Sequence, residues 1–288
     1  MISIVIPAVN EHDNIGLCLE AIAWCDDIHV IDSGSTDDTP FIAEAKGAHV
    51  FKREFTNYAD QRNFALDNLK LKYDWVLHLD ADELVTEGLK QEMLDIAVNG
   101  SEFSAYEVPF RIFFLGRFLR YGGSRPNYQV RFGKRDELRF RELGHGQKED
   151  MVRGSIGQLR NPLLHFTFSK GFSVWIIKQD RRSDFEARVT FAEAKFSLSS
   201  GVSTTTKIRR ALRELSRLLP FRAALRFFYT YIIQLGFLDG RPGFHFCMLN
   251  AMYEYFITLK KIEQHADSSM RAGVNAAHSE VDPIRRTT

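Results

Sequence analysis

Short apolar runs alternate with longer mixed stretches through the first third of the chain. Ile2 to Ile6 is a β-favouring run closed by Pro7, and Asn10-Glu11-His12-Asp13 supplies helix-capping chemistry before Ile15, Leu17, Leu19, Ala21 and Ile22. Strand, loop and helix are the predicted elements. Ile28-His29-Val30-Ile31 predicts a second strand. The loop after it, Asp32-Ser33-Gly34-Ser35-Thr36-Asp37-Asp38-Thr39-Pro40, has Gly for an unusual backbone angle and Pro where the first turn of a helix accepts it. The second helix runs to about Lys46 and stops at Gly47. Ala48 to Phe51 reads as a third strand, Ala59 to Leu69 as a third helix and Trp75 to Leu79 as a fourth strand. This alternation argues for an α/β fold with a mainly parallel sheet covered by helices, because parallel strands need crossovers. The loops after strands one, two and four then share one rim, the edge at which open α/β sheets bind ligands.

That rim is acidic. The fourth strand runs Trp75-Val76-Leu77-His78-Leu79 and then straight into Asp80-Ala81-Asp82-Glu83. Asp80 and Asp82 offer oxygen ligands to one hard cation, Mg²⁺ or Mn²⁺, which would keep positions free for water and substrate phosphates. The competing reading is a plain turn, since Asp is common where strands end. Glu11 and Asp32 lie on the neighbouring loops. They suit the hydroxyl and amide groups of a nucleoside, or else serve as a solvated helix-entry charge and a loop cap. No Gly-x-Gly-x-x-Gly follows the first strand and no Gly-Lys-Ser/Thr phosphate loop is present, which disfavours a dinucleotide oxidoreductase or an NTP-hydrolysing engine.

Beyond residue 100 the pattern changes. Phe110 to Gly123 interleaves aromatics, arginines and glycines, as an acceptor-facing loop or as strands around a turn. Arg141 to Asp150 offers Glu142, His145, Glu149 and Asp150 as proton acceptors, or forms a charged surface turn. Glu149 is the favoured base by position and residue type. His165 follows Leu163-Leu164 at a predicted strand end and is either a donor-site or metal ligand or a structural histidine. Residues 170 to 263 turn helical in pattern. Within them Lys207 to Arg226 carries seven basic residues and one acid on an amphipathic stretch, followed by the apolar run Phe227 to Leu238. Twelve residues fall short of the ~20 needed to cross a bilayer, leaving a buried core helix or an interfacial anchor. The basic run before it favours peripheral contact with an inner leaflet. From Ala266 to Thr288 the chain is small and polar, and a disordered tail is expected.

Charge sharpens the division. The 288 residues carry a net +1, but residues 1 to 100 hold seven Lys/Arg against nineteen Asp/Glu, a balance of −12 that leaves +13 for the rest. An acidic front does not suit nucleic acid and does suit a metal-dependent site; a basic back suits anionic lipid or phosphorylated substrates. Cys18, Cys25 and Cys247 lack zinc-site spacing and read as reduced thiols. Met1 to Pro7 reads as a first strand and not as a signal peptide, so the expected location is cytoplasmic.

Val5-Ile6-Pro7-Ala8-Val9-Asn10-Glu11, then Val30 to Asp37, then Gln61-Arg62-Asn63 and Trp75 to Glu83 together resemble the successive motifs of family 2 glycosyltransferases. The branch resembled is that of lipopolysaccharide-core β-glucosyltransferases, over roughly the first 170 residues, with Gly236-Phe237-Leu238-Asp239-Gly240 also similar. The resemblance implies a GT-A fold, a nucleotide-sugar donor such as UDP-glucose, an inverting transfer and a lipid-linked or envelope glycan acceptor. Pro7, Glu11, Asp32, Arg62 and Asp80 would then bind the donor, with Asp80 and Asp82, and His165 as a further candidate, at the metal. It also implies a catalytic domain over 1–170, divided near 100 into nucleotide-sugar and acceptor halves, a basic helical extension over 171–265 and a tail over 266–288. Gly146 follows His145 where much of the branch has a His-Glu pair, and Gly122-Gly123-Ser124-Arg125-Pro126-Asn127 departs from the branch's Gly-Gly-Trp and Pro-Asp. These departures leave room for a non-catalytic nucleotide-sugar-binding relative. A haloacid-dehalogenase-type phosphatase also ends a buried strand in Asp-x-Asp, but normally on its first strand.

Overall fold

The computed structural model describes residues 1–122, 127–143, 146–149, 152–188 and 221–281. Strands β1 (Ser3–Ala8), β2 (Ile28–Asp32), β3 (His49–Lys52) and β4 (Trp75–His78) lie in the order β3-β2-β1-β4, all parallel. Helices α1 (His12–Ala21), α2 (Thr39–Ala45) and α3 (Tyr58–Asn68) make the connections. Side chains alternate across a strand, so consecutive residues of β1 build two different cores. Ile4 and Ile6 join Ile15, Leu19 and Ile22 from the α1 region, whereas Val5 joins Ala59, Ala65 and Leu66 of α3. Both faces are therefore apolar and covered, which is why the strands read as continuous hydrophobic runs. Gly47 ends the α2 turn with φ +84°, a conformation L side chains rarely adopt.

The sheet does not stop at β4. After β5 (Glu83–Val85) and α4 (Glu87–Asn99) come β6 (Phe103–Phe114), β7 (Arg117–Phe118) and β8 (Asn127–Lys134). Strand β8 inserts antiparallel between β4 and β6, through pairs such as Leu77↔Phe132 and Tyr106↔Phe132. The order then continues β6-β12-β5, where β12 is Leu163–His165, and β11 (Ser155–Gln158) also pairs with β6. Strands β9 (Phe140–Leu143) and β10 (Gly146–Glu149) form a separate antiparallel hairpin. Phe110 to Phe118 is a strand, a tight turn at Leu115-Gly116 and a short return strand, so the alternation there belongs to a β-hairpin.

The C-terminal layer comprises α5 (Phe172–Arg188), α6 (Arg222–Phe228), a π turn (Tyr229–Ile233), a 3₁₀ turn (Gly236–Asp239) and α7 (Gly240–Val281). Asp239 is buried and accepts the backbone N–H groups of Arg120 (3.0 Å) and Tyr121 (2.8 Å), which fastens this layer to the loop after β7. Gly236 is required there: a Cβ would lie 2.7 Å from Cys247 Sγ and 2.8 Å from the Thr230 carbonyl oxygen.

One expectation changes, and one of two open readings is set aside. Residues 266 to 281 continue α7 where a disordered tail was expected; Met270-Arg271, Ala276-Ala277 and Glu280 are good helix formers, and propagation from a docked helix adds one hydrogen bond per residue. The apolar run Phe227 to Leu238 is not a buried core helix. Leu235 at φ +60° interrupts it, and Phe228, Ile233 and Leu238 are at least half exposed. Of the basic stretch from Lys207, residues 207–220 lie outside the described residues; in α6, Arg222 pairs with Glu254 of α7. The three cysteines are free and buried.

Candidate active site

The C-terminal ends of β1, β2 and β4 do share one rim. Their loops are stitched together by backbone-to-side-chain bonds. Asn10, in left-handed geometry at φ +52°, donates its backbone N–H to Ser35 Oγ (2.9 Å), and its Oδ1 accepts from the Thr36 N–H (2.8 Å). Asp32 is buried beneath and accepts the N–H groups of Gly34 (3.3 Å) and Ser35 (3.2 Å), so its loop-cap role is realised. Gln61 Nε2 reaches Ser33 Oγ at 3.0 Å. Pro7 sits beside this loop in register with Ile31. Glu11 is held by Asn14 Nδ2 (2.7 Å) and Lys170 Nζ (2.5 Å), a lysine that sequence reasoning did not single out.

Asp80 and Asp82 face different partners. Asp80 Oδ1 accepts from Arg62 Nη2 at 2.7 Å and from Arg131 Nη1 at 3.0 Å, and Asp80 Oδ2 accepts from Arg131 Nη2 at 2.7 Å. Arg131 also donates to Glu83 Oε1 (3.1 Å), and the fully buried Glu83 accepts the Asp80 backbone N–H at 3.0 Å. Burial opposes ionisation of Asp80, but the two guanidinium charges prevail and hold its pKa well below the carboxylate range. For Glu83 burial prevails, reinforced by Asp80, and its pKa rises despite Arg131. Burial and the neighbouring Arg131 charge bring Arg62 down to about 10. His78 beneath them is kept neutral by burial and by both arginines.

Asp82 instead meets His165. Strand β5 begins at Glu83, which pairs with His165 of β12, and Asp82 Oδ2 stands 3.5 Å from His165 Nε2. The Asp82 carbonyl accepts the Phe166 N–H at 2.9 Å, fixing the seam. Burial lowers the His165 pKa, but the Asp82 hydrogen bond and the charges of Asp82, Glu83 and Asp80 outweigh it and raise it overall. Two donors each about 2.1 Å from one divalent cation and at about a right angle stand about 3 Å apart, so this carboxylate and imidazole fit a shared metal. Among the described residues no cluster of three His, Cys, Asp or Glu forms a complete cage.

The β9–β10 hairpin lies over α3. Asn63 holds both backbone groups of Phe140 (2.8 and 2.9 Å), and the Phe140 ring packs edge-on against His78 with centroids 4.8 Å apart. Glu149 pairs in register with Phe140, and Glu142 with Gln147; His145 and Asp150 lie outside the described residues.

The family model for Glycosyl transferase family 2 matches residues 3–146, half of the chain. The chain belongs to that family. Being a family 2 glycosyltransferase, it carries its Asp-x-Asp on the fourth strand of a sugar-transfer fold, which displaces the phosphatase alternative. The lipopolysaccharide core biosynthesis glycosyltransferase LpsC of Rhizobium meliloti is 24% identical over 272 residues, spanning 92% of this chain and 93% of that one. A glucosyl-3-phosphoglycerate synthase of Mycolicibacterium paratuberculosis is 47% identical over 58 residues, 18% of each chain. Among solved structures, the mannosyltransferase PcManGT from Pyrobaculum calidifontis, in complex with GDP-Man and Mn²⁺, aligns over 91% of this chain and 86% of its own, with a TM-score of 0.53 and 14% identity. That likeness is one of fold, the GT-A arrangement of a family 2 enzyme.

Arg131, Glu83 and Lys170 are the site residues that sequence reasoning missed as partners. The available signal was a charged residue inside Tyr128 to Phe132, a stretch that otherwise reads as a sheet strand; a buried charge requires a partner.

Proposed function

We propose that this glycosyltransferase transfers a sugar from a UDP-sugar, with UDP-glucose the leading candidate, to a lipid-linked or cell-envelope saccharide, with inversion and with a divalent metal. The observation that carries the reading is the Asp82–His165 pair at the mouth of β4, beside the arginine-held Asp80. The mixed oxygen and nitrogen donor set favours Mn²⁺ over Mg²⁺, because Mg²⁺ prefers oxygen ligands. When bound, the metal would neutralise charge building on the leaving diphosphate.

The remaining roles belong to the chain. Asp32 and Glu11 border the nucleoside pocket. Asp80 is bonded to Arg62 and Arg131, and the Arg62 guanidinium brings positive charge to the rim for the diphosphate. Glu149 takes the acceptor proton; its register with Phe140, which packs on His78, supports a place over the donor site. The glucosyl reading draws on the synthase relative, and the envelope acceptor on LpsC. Exposed Phe228, Tyr229, Ile232, Ile233 and Leu238 support a peripheral contact with the cytoplasmic face of the inner membrane, and among the described residues no helix is long and apolar enough to cross one. The division into a catalytic domain over 1–170 and a helical extension remains part of this reading.

The test is calorimetric binding of UDP, GDP and CDP with and without Mn²⁺, followed by transfer assays with UDP-sugars. UDP binding that requires Mn²⁺ and is lost in Asp82→Asn supports the reading. Metal-independent binding, or preference for another nucleotide, overturns it.

A further inference from the structure

Arg131 makes three hydrogen bonds to the acidic rim, where Arg62 of the donor half makes one. It is 4% exposed on β8, and three of its hydrogen bonds end on the two carboxylates that flank Asp82. Its arrival follows from topology. Strand β8 is antiparallel to β4 and their last matched pair is Leu77↔Phe132, so the next residue along β8 comes level with His78, where β4 runs out. The guanidinium then meets the Asp80 carboxylate end-on, with Nη1 on one oxygen and Nη2 on the other.

A carboxylate has about four acceptor positions. Arg62 and Arg131 fill three on Asp80. Among the described residues one is left open, on a side chain 35% exposed toward the rim. Asp82 has His165 alone as its ion-pair partner among the described residues. The two aspartates are thereby made unequal: one is held by two guanidinium groups, the other keeps its carboxylate for His165 and, on the donor-site reading, for the cation.

We propose that Arg131 is a positioning residue that fixes Asp80 in the donor-binding orientation and so assigns the cation to Asp82. This rests on the donor-site reading above. A lysine cannot replace it, because an ammonium is a point charge and does not supply the planar fork that engages both oxygens.

The experiment uses the full chain as wild type, Arg131→Lys, Arg131→Gln, Asp80→Asn and the double variant Arg131→Lys/Asp80→Asn. Thermal unfolding establishes that each variant is folded, and calorimetry measures UDP binding across a Mn²⁺ titration. Arg131→Lys is expected to weaken Mn²⁺-dependent UDP binding about tenfold or more while remaining folded, and to raise the Mn²⁺ concentration at half-saturation. In the Asp80→Asn background the same change is expected to cost less than about threefold, because its effect passes through Asp80. Should Arg131→Lys not fold, Arg131→Gln, which retains a planar donor, carries the same comparison. Binding equal to wild type in a folded Arg131 variant, or losses that multiply in the double variant, would overturn the proposal while leaving the donor site intact. Failure of the wild type to bind UDP with Mn²⁺ would overturn the donor site and this proposal together.

Discussion

His165 and Asp82 face each other across the seam where β12 pairs with β5, 3.5 Å between Nε2 and Oδ2, although Asp82 lies near the middle of the family match and His165 beyond its end. Asp82→Asn and His165→Gln keep the side-chain volumes and remove the charged carboxylate or the imidazole. Each should leave the melting temperature within about 3 °C of wild type and reduce transfer by roughly 100-fold or more. Differential scanning fluorimetry beside a sugar-transfer assay separates the two effects; a large loss of stability with normal activity per folded molecule would contradict the assignment.

Asp80 should behave in the opposite manner. Removing it leaves Arg62 and Arg131 buried and short of counter-charge. Breaking a fully buried pair costs about 3–5 kcal/mol, and partial exposure of Asp80 reduces the expectation for Asp80→Ala to about 2–3 kcal/mol. Urea unfolding provides the measurement. A midpoint unchanged from wild type would mean that the arginines find other partners.

Asp27 supplies a pH dependence remote from the site. It is buried and bonded to Ser3 Oγ, the Lys72 backbone N–H (2.8 Å) and His29 Nε2 (2.8 Å). Burial raises its pKa, but these partners together outweigh burial and lower it. A depressed carboxylate contributes stability that is present above the unfolded pKa of about 3.9 and lost as pH falls through the lower folded value. Asp27→Asn should therefore cost about 1–3 kcal/mol at pH 7 and progressively less as pH falls below about 4. Parallel denaturant curves at neutral and acid pH check the convergence.

Asp239→Ala should loosen the C-terminal layer first. It removes the acceptor for the half-buried backbone N–H groups of Arg120 and Tyr121, at about 1 kcal/mol each. Limited proteolysis should cut between 221 and 281 sooner than in wild type, with the sheet core still protected. Simultaneous digestion of both parts would show that the layer and the sheet unfold as one unit.

The exposed apolar residues of α6 and the π turn should bring the full chain down with vesicles containing phosphatidylglycerol, and less so with purely zwitterionic ones. Ile233→Glu with Phe228→Glu should abolish this at unchanged folding. Equal sedimentation of the charged variant would place the contact elsewhere.

Much of the donor half was legible because its information is local. The Ile4/Val5/Ile6 alternation, the Asp32 loop and the Asp-x-Asp exit of β4 each need only a few neighbouring residues to be read. The partner of Arg131 was not legible: a charge inside a strand-like stretch signals that one is needed, but nothing nearby in sequence says that β8 enters between β4 and β6. Lys170 was hidden for the same reason: its partner Glu11 lies at the other end of the catalytic region. The end of α7 failed differently. Its apolar period fades after Ile262, and a helix extended by propagation rather than by burial leaves little hydrophobic pattern to find.

The insertion of β8 also bears on the order in which a nascent chain can become competent. The first hundred residues leave the ribosome with Asp80 and Glu83 in place but only Arg62 to meet them. Arg131 and then His165 arrive later, and until both have threaded into the sheet the acidic rim is incomplete. A fragment cut near residue 100 is thus not a portable donor-binding module. On the proposed donor-site reading, nucleotide capture waits until β8 and β12 have joined the sheet.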